Sequence, residues 1–214
     1  VTAVELQGLG LRRVAVRRSR LLNRVTIAWN VVEGIVAVAA GSLAGSVSLV
    51  GFGLDSGIEV SAAVILAWRL GKEKRQGCMA EFDRRATRLI AVSFAALAAY
   101  VGVESVRDLV GREAPATSLV GIVLAAVSLL VMPLLARAKR RLAPVLGSRA
   151  AASEANQTSL CALLSAVLVV GLGLNAAFGW WWADPAAGVV IATLAAVEAV
   201  RTWRAEALSD TCCG

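Results

Sequence analysis

Gly45-Ser46-Val47-Ser48-Leu49-Val50-Gly51-Phe52-Gly53-Leu54-Asp55-Ser56-Gly57-Ile58-Glu59 is the stretch that decides the fold. It opens an apolar run, extending to about Trp68, that is long enough to cross a bilayer. Asp55 and Glu59 lie within it, four positions apart, so both carboxylates fall on one helical face. A carboxylate at membrane depth costs several kcal/mol unless something compensates its ionisation. About a hundred positions later, Gln157 and Cys161 repeat the spacing in a second apolar run. Two acids opposite a thiol and an amide suggest a cation as the compensating charge.

Composition agrees with a membrane protein. The chain has 214 residues, 58% hydrophobic and only 17% charged, with mean hydropathy +0.72. Soluble domains carry about a quarter charged residues. The net charge of +7 does not signal nucleic acid, because the basic residues form no groove or stripe and cluster between apolar blocks. Four cysteines, Cys78, Cys161, Cys212 and Cys213, have neither zinc-finger spacing nor the density of a disulfide framework. Histidine is absent, which removes the commonest metal ligand and the usual near-neutral proton carrier. The polar, arginine-rich start has no early apolar core, so no cleavable signal peptide is expected.

Six apolar blocks predict an all-α membrane protein with six transmembrane helices: Val25–Ala44, Val47–Trp68, Thr87–Val106, Ala116–Ala136, Ala150–Leu174 and Pro185–Arg201. This divides the chain into a basic arm (1–24), a six-helix domain (25–203) and a short tail (204–214). Of the 22 Lys and Arg residues, only Arg107 and Arg112 fall on one side of the predicted bundle. The positive-inside rule then places both termini in the cytoplasm. Trp180, Trp181 and Trp182 are expected at the outer interface, and Trp29, Trp68 and Trp203 near the inner one.

Depth places the polar residues together. At 1.5 Å per residue, Asp55 lies roughly 12 Å below the outer face and Glu59 about 6 Å deeper. Gln157 and Cys161 rise roughly 10 Å and 16 Å from the inner face. All four approach the midplane of a core about 30 Å thick. Antiparallel neighbours would face Asp55 toward Cys161 and Glu59 toward Gln157, four ligands suited to a tetrahedral ion. The two segments also align at an offset of 102 residues, with Gly45-Ser46 matching Gly147-Ser148, in the manner of transporter repeats.

The stretch from Gly45 to Glu59 resembles the second helix of the cation diffusion facilitator family, which places acidic or histidine ligands one turn apart there and again in its fifth helix. Asp55 and Glu59 match the first pair, and Gln157 and Cys161 occupy the second, where His and Asp are the family's residues. Trp182-Ala183-Asp184-Pro185 is similar to the family's entry into helix six. Glu154 matches an acidic position that often precedes the helix-five pair. The resemblance implies a homodimeric metal transporter. It also implies a cytosolic metal-binding domain after helix six; only a short tail follows Arg204, so a variant lacking that domain is expected.

Asn30 and Glu33 in the first helix, and Glu154 in the fifth, are additional candidates for the metal site or a proton path. Glu104, Asp108, Glu113, Asp184 and Glu198 read as solvated groups near helix ends, with Asp184 capping helix six. Cys212 and Cys213 could collect soft metal, against the plainer reading of a terminal tail. Gly41 with Gly45, and Gly53 with Gly57, have the small-xxx-small spacing of close helix contacts.

The expected function is efflux of a divalent transition metal by proton antiport with alternating access. Ligands shed protons to bind metal, so lower pH ejects the ion. The sulfur of Cys161 favours Zn²⁺ or Cd²⁺ over Mg²⁺ or Ca²⁺. Neither enzymatic activity nor a prosthetic group is expected. The expected partners are the ion, protons and lipid, in a membrane whose Ala/Val-rich protein suggests a bacterial inner membrane. The alternative is a non-transporting protein of the same fold that senses metal or binds a partner. Export of organic cations would call for more aromatic residues than the 5% present.

Overall fold

A computed structural model describes residues 3–72, 80–146 and 149–207, with side chains described for 14–15, 17–64, 88–142, 144 and 155–204. Cys78, Cys212 and Cys213 lie outside the described residues, as do the side chains of Glu154 and Trp68. Six helices follow one another: α1 (Ala3–Ala44), α2 (Val47–Lys72), α3 (Ala80–Gly111), α4 (Leu119–Leu146), α5 (Arg149–Phe178) and α6 (Ala183–Ala207). Each contains a segment long and apolar enough to span a bilayer, and no strand occurs among the described residues. This is a multi-pass membrane protein with an all-α fold.

The helices exceed their predicted bounds at the polar ends. Helix α1 begins at Ala3 rather than Val25, and α4 runs on to Leu146 rather than Ala136. Hydropathy registers only the portion inside hydrocarbon. Backbone helicity continues into water wherever Arg, Lys, Leu and Ala favour it.

The turns follow local chemistry. Helix α1 ends at Gly45, whose φ of 67° is the left-handed conformation that Gly adopts without a Cβ penalty. The Ser46 N–H closes the turn on the Gly41 carbonyl at 2.9 Å. Ser46 then caps α2, its hydroxyl accepting from the Leu49 N–H at 3.2 Å. Ser118 caps α4 in the same way, through the Gly121 N–H at 3.1 Å. Gly179, at φ 66°, ends α5.

Helix α1 packs on α2 and α4, α4 on α5, and α5 on α2, so these four surround one interior. The α3–α6 pair leans on that group through α2 and α5. Leu49 and Phe52 (α2), Phe94 and Val101 (α3), Met132 (α4), Leu164 and Leu168 (α5) and Ile191 (α6) are the buried apolar core. Of the four glycines expected at close contacts, Gly41 and Gly53 serve that purpose. A Cβ on Gly41 would fall 2.8 Å from the Val50 nitrogen, and one on Gly53 would fall 2.9 Å from that of Val38. Gly45 instead makes the turn, and Gly57 has open space beside it. Large apolar side chains such as Ile35, Leu130 and Val170 point outward, as lipid contact requires.

Candidate functional site

The interior of α1, α2, α4 and α5 holds two tiers of polar side chains. The upper tier centres on Glu33 of α1, which is fully buried. Its Oε2 accepts from Ser56 of α2 at 2.9 Å, and its Oε1 accepts from the Ser128 hydroxyl of α4. The Trp29 indole N–H donates to that same Ser128 oxygen at 3.2 Å. Cys161 of α5 completes the tier, its buried Sγ standing 3.8 Å from Glu33 Oε2.

One turn nearer the chain termini, the lower tier centres on Glu59 of α2. The Thr158 hydroxyl of α5 donates to Glu59 Oε1 at 2.9 Å and accepts from Lys139 Nζ of α4 at 3.0 Å. Asn30 of α1 and Cys161 reach toward Glu59 from either side. Yet Glu59 Oε2, and both ends of the Asn30 amide, are buried without a hydrogen-bond partner among the described residues. Asp55, 4% exposed, lies one turn above Glu59 and is close enough to feel both Glu59 and Glu33 as like charges.

Helix periodicity explains which residues turn inward. The buried face of α5 runs through Ala155, Thr158, Cys161, Ser165, Leu168 and Leu172, at steps of three or four. That of α4 runs through Ser118, Gly121, Ala125, Ser128, Met132, Leu135 and Lys139. Lys139 therefore lies on the site face, about three turns beyond Ser128.

Asp55, Glu59, Cys161, Glu33 and Asn30 are brought together. Gln157 is half-buried, and the α5 group that meets Glu59 is its neighbour Thr158. The expected pairing of Glu59 with Gln157 is thus replaced by one with Thr158, because the buried face of α5 passes one position further along. Glu154 belongs to α5, but its side chain lies outside the described residues. Among the described residues, no three Cys, Asp or Glu side chains form a ready-made metal cage.

Sequence reasoning missed Lys139, Thr158, Ser56 and Ser128. Lys139 was counted as a charge on the cytoplasmic loop, but it is 7% exposed and inside the helix bundle. Its eleven-residue separation from Ser128 was the available signal. Trp29, expected at the interface, turns its N–H inward instead. Trp180 and Trp182 stack at 5.3 Å in the exposed turn before α6, as an interfacial position allows.

Asp184 also departs from expectation. It lies in the first turn of α6 but is fully buried rather than solvated. Its Oδ1 accepts from Ser46 at 2.7 Å and from Ser48, and the Val47 and Ser48 backbone N–H groups approach it. Asp184 thereby caps the positive N-terminus of α2 from a neighbouring helix.

The family model described as the cation efflux transmembrane domain matches residues 24–209. No curated protein matches the chain.

Proposed function

Because the chain belongs to the cation efflux family, whose transmembrane domain it carries, we propose that it moves a soft divalent ion, Zn²⁺ or Cd²⁺, through the α1–α2–α4–α5 interior. The family consists of transporters of metal cations rather than enzymes. In this reading Asp55, Glu59 and Cys161 are the ion's ligands and Glu33 is a fourth. Asn30 and Thr158 line the site, Gln157 borders it on α5, and Glu154 belongs to the approach.

One observation carries the assignment. Among the described residues, the buried Glu59 Oε2 and the Asn30 amide find no hydrogen-bond partner at the place where three helices present polar groups. Leaving a buried polar group unsatisfied costs about 1–3 kcal/mol, and more when it is charged. An ion between Glu59, Asp55 and Cys161 would satisfy Glu59 Oε2, with the Asn30 carbonyl oxygen able to face it as a further acceptor.

Transport proceeds by proton antiport with alternating access. The ligands bind metal deprotonated, so acid on the receiving side favours release. The physiological setting is a bacterial inner membrane with both termini cytoplasmic, and the protein works as a homodimer. Proteoliposomes enclosing a metal-sensitive dye test this. Zn²⁺ and Cd²⁺ flux should be present in the wild type and abolished by Asp55→Ala and by Glu59→Ala. Flux unchanged by both substitutions would remove the site.

A second reading, metal sensing or partner binding without transport, is favoured by Gln157 and Cys161, which stand where the family's second ligand pair is His and Asp. Metal binding without flux would establish it.

A further inference from the structure

Lysine at the end of a membrane helix ordinarily extends its ammonium toward the headgroups. Lys139 does the reverse. Its side chain follows the backward slant of helical side chains, toward the N-terminus of α4 and the middle of the bundle. There it is almost fully buried and donates to Thr158 at 3.0 Å. The Thr158 hydroxyl in turn donates a hydrogen bond to Glu59 Oε1 at 2.9 Å, so one hydroxyl links the ammonium to that carboxylate, which it attracts. Burying an ammonium is costly unless it neutralises an opposite charge.

We propose that Lys139 is a tethered counter-cation, which neutralises Glu59 in the empty protein and which the incoming metal ion must displace. The proposal rests on the metal-site reading above and adds a residue that sets affinity and release. Coulomb attraction scales with ionic charge, so a divalent ion can outcompete the ammonium at Glu59 where a monovalent ion gains no advantage. When the ion leaves, the tethered ammonium returns through Thr158, and Glu59 is not left as a bare buried charge. Lys139 is therefore an internal competitor that weakens metal binding and speeds release.

The prediction has an unusual sign. Isothermal titration of the purified full chain with Zn²⁺ should show Lys139→Met binding about tenfold more tightly than the wild type, with slower Zn²⁺ flux in proteoliposomes. Lys139→Arg, which keeps the positive charge, should stay near the wild-type affinity. Were Lys139 merely structural, Lys139→Met would bind Zn²⁺ equally or more weakly, and the proposal would be overturned. A second measurement needs no variant. Zn²⁺ should accelerate acylation of Lys139 by a small amine-reactive reagent, read by mass spectrometry; an unchanged rate overturns the proposal. Absence of Zn²⁺ binding by the wild type would instead overturn the site reading itself, and this proposal with it.

Discussion

Cys161 Sγ stands 3.8 Å from Glu33 Oε2, so α5 and α1 present a thiol and a carboxylate to the same point in the bundle. Neither residue is near the other in sequence, and neither is exposed. In the proposed site the pair would set a soft ligand beside a hard one, a chemical basis for selecting among divalent ions.

Cys161→Ser should therefore weaken Cd²⁺ binding more than Zn²⁺ binding. Replacing the sulfur by oxygen is expected to cost Cd²⁺ about tenfold in affinity, or about 1.4 kcal/mol, beyond any loss for Zn²⁺. Paired titrations with the two ions measure the difference. Equal losses would show that sulfur does not touch the ion.

Thr158→Val and Gln157→Ala distinguish the two neighbouring positions on α5. Valine keeps the shape of threonine but breaks the bridge between Lys139 and Glu59. Leaving these buried groups without the hydroxyl should destabilise the protein by about 1–3 kcal/mol and alter Zn²⁺ affinity. Gln157→Ala should change affinity by less than about twofold, since its side chain is off the buried face. Thermal unfolding in detergent and titration check both statements.

How much of this was legible in the sequence follows from what hydropathy and spacing encode. The six spans were visible because hydrocarbon demands about 20 apolar residues per helix. Asp55 and Glu59 were visible because charges are rare at that depth. Lys139 was hidden because a lysine at a span's end looks like a topology signal, and only tertiary packing shows that it turns inward. Thr158 was hidden for a different reason. It lies beside Gln157, and a small error in the rotation of α5 exchanges the two. Asp184 looked like a local cap, because sequence does not reveal that the Ser46–Ser48 turn of another helix lies against it.

Asp184→Asn should separate stability from binding. The substitution keeps the shape but removes the charge that receives the Ser46 and Ser48 hydroxyls at the N-terminus of α2. Hydrogen bonds to charged groups contribute about 1.5–3 kcal/mol, so the melting temperature should fall by several degrees. Zn²⁺ affinity should remain within about twofold, because Asp184 is remote from both tiers. A loss of affinity without a loss of stability would contradict its role as a clamp.

Glycine substitutions should discriminate helix contact from open space. Gly41→Ala forces a Cβ to within 2.8 Å of the Val50 backbone nitrogen and should cost about 1–3 kcal/mol. Gly57→Ala meets nothing within 4 Å and should leave stability unchanged or slightly improved. Unfolding midpoints of the two variants provide the comparison.

Anomalous diffraction from crystals soaked in Zn²⁺ tests the ion site most directly. A peak is expected between α2 and α5, about 2.0–2.2 Å from carboxylate oxygens of Asp55 and Glu59 and about 2.3 Å from Cys161 Sγ. A fully occupied peak elsewhere in the protein, with those three side chains turned away from one another, would contradict the account.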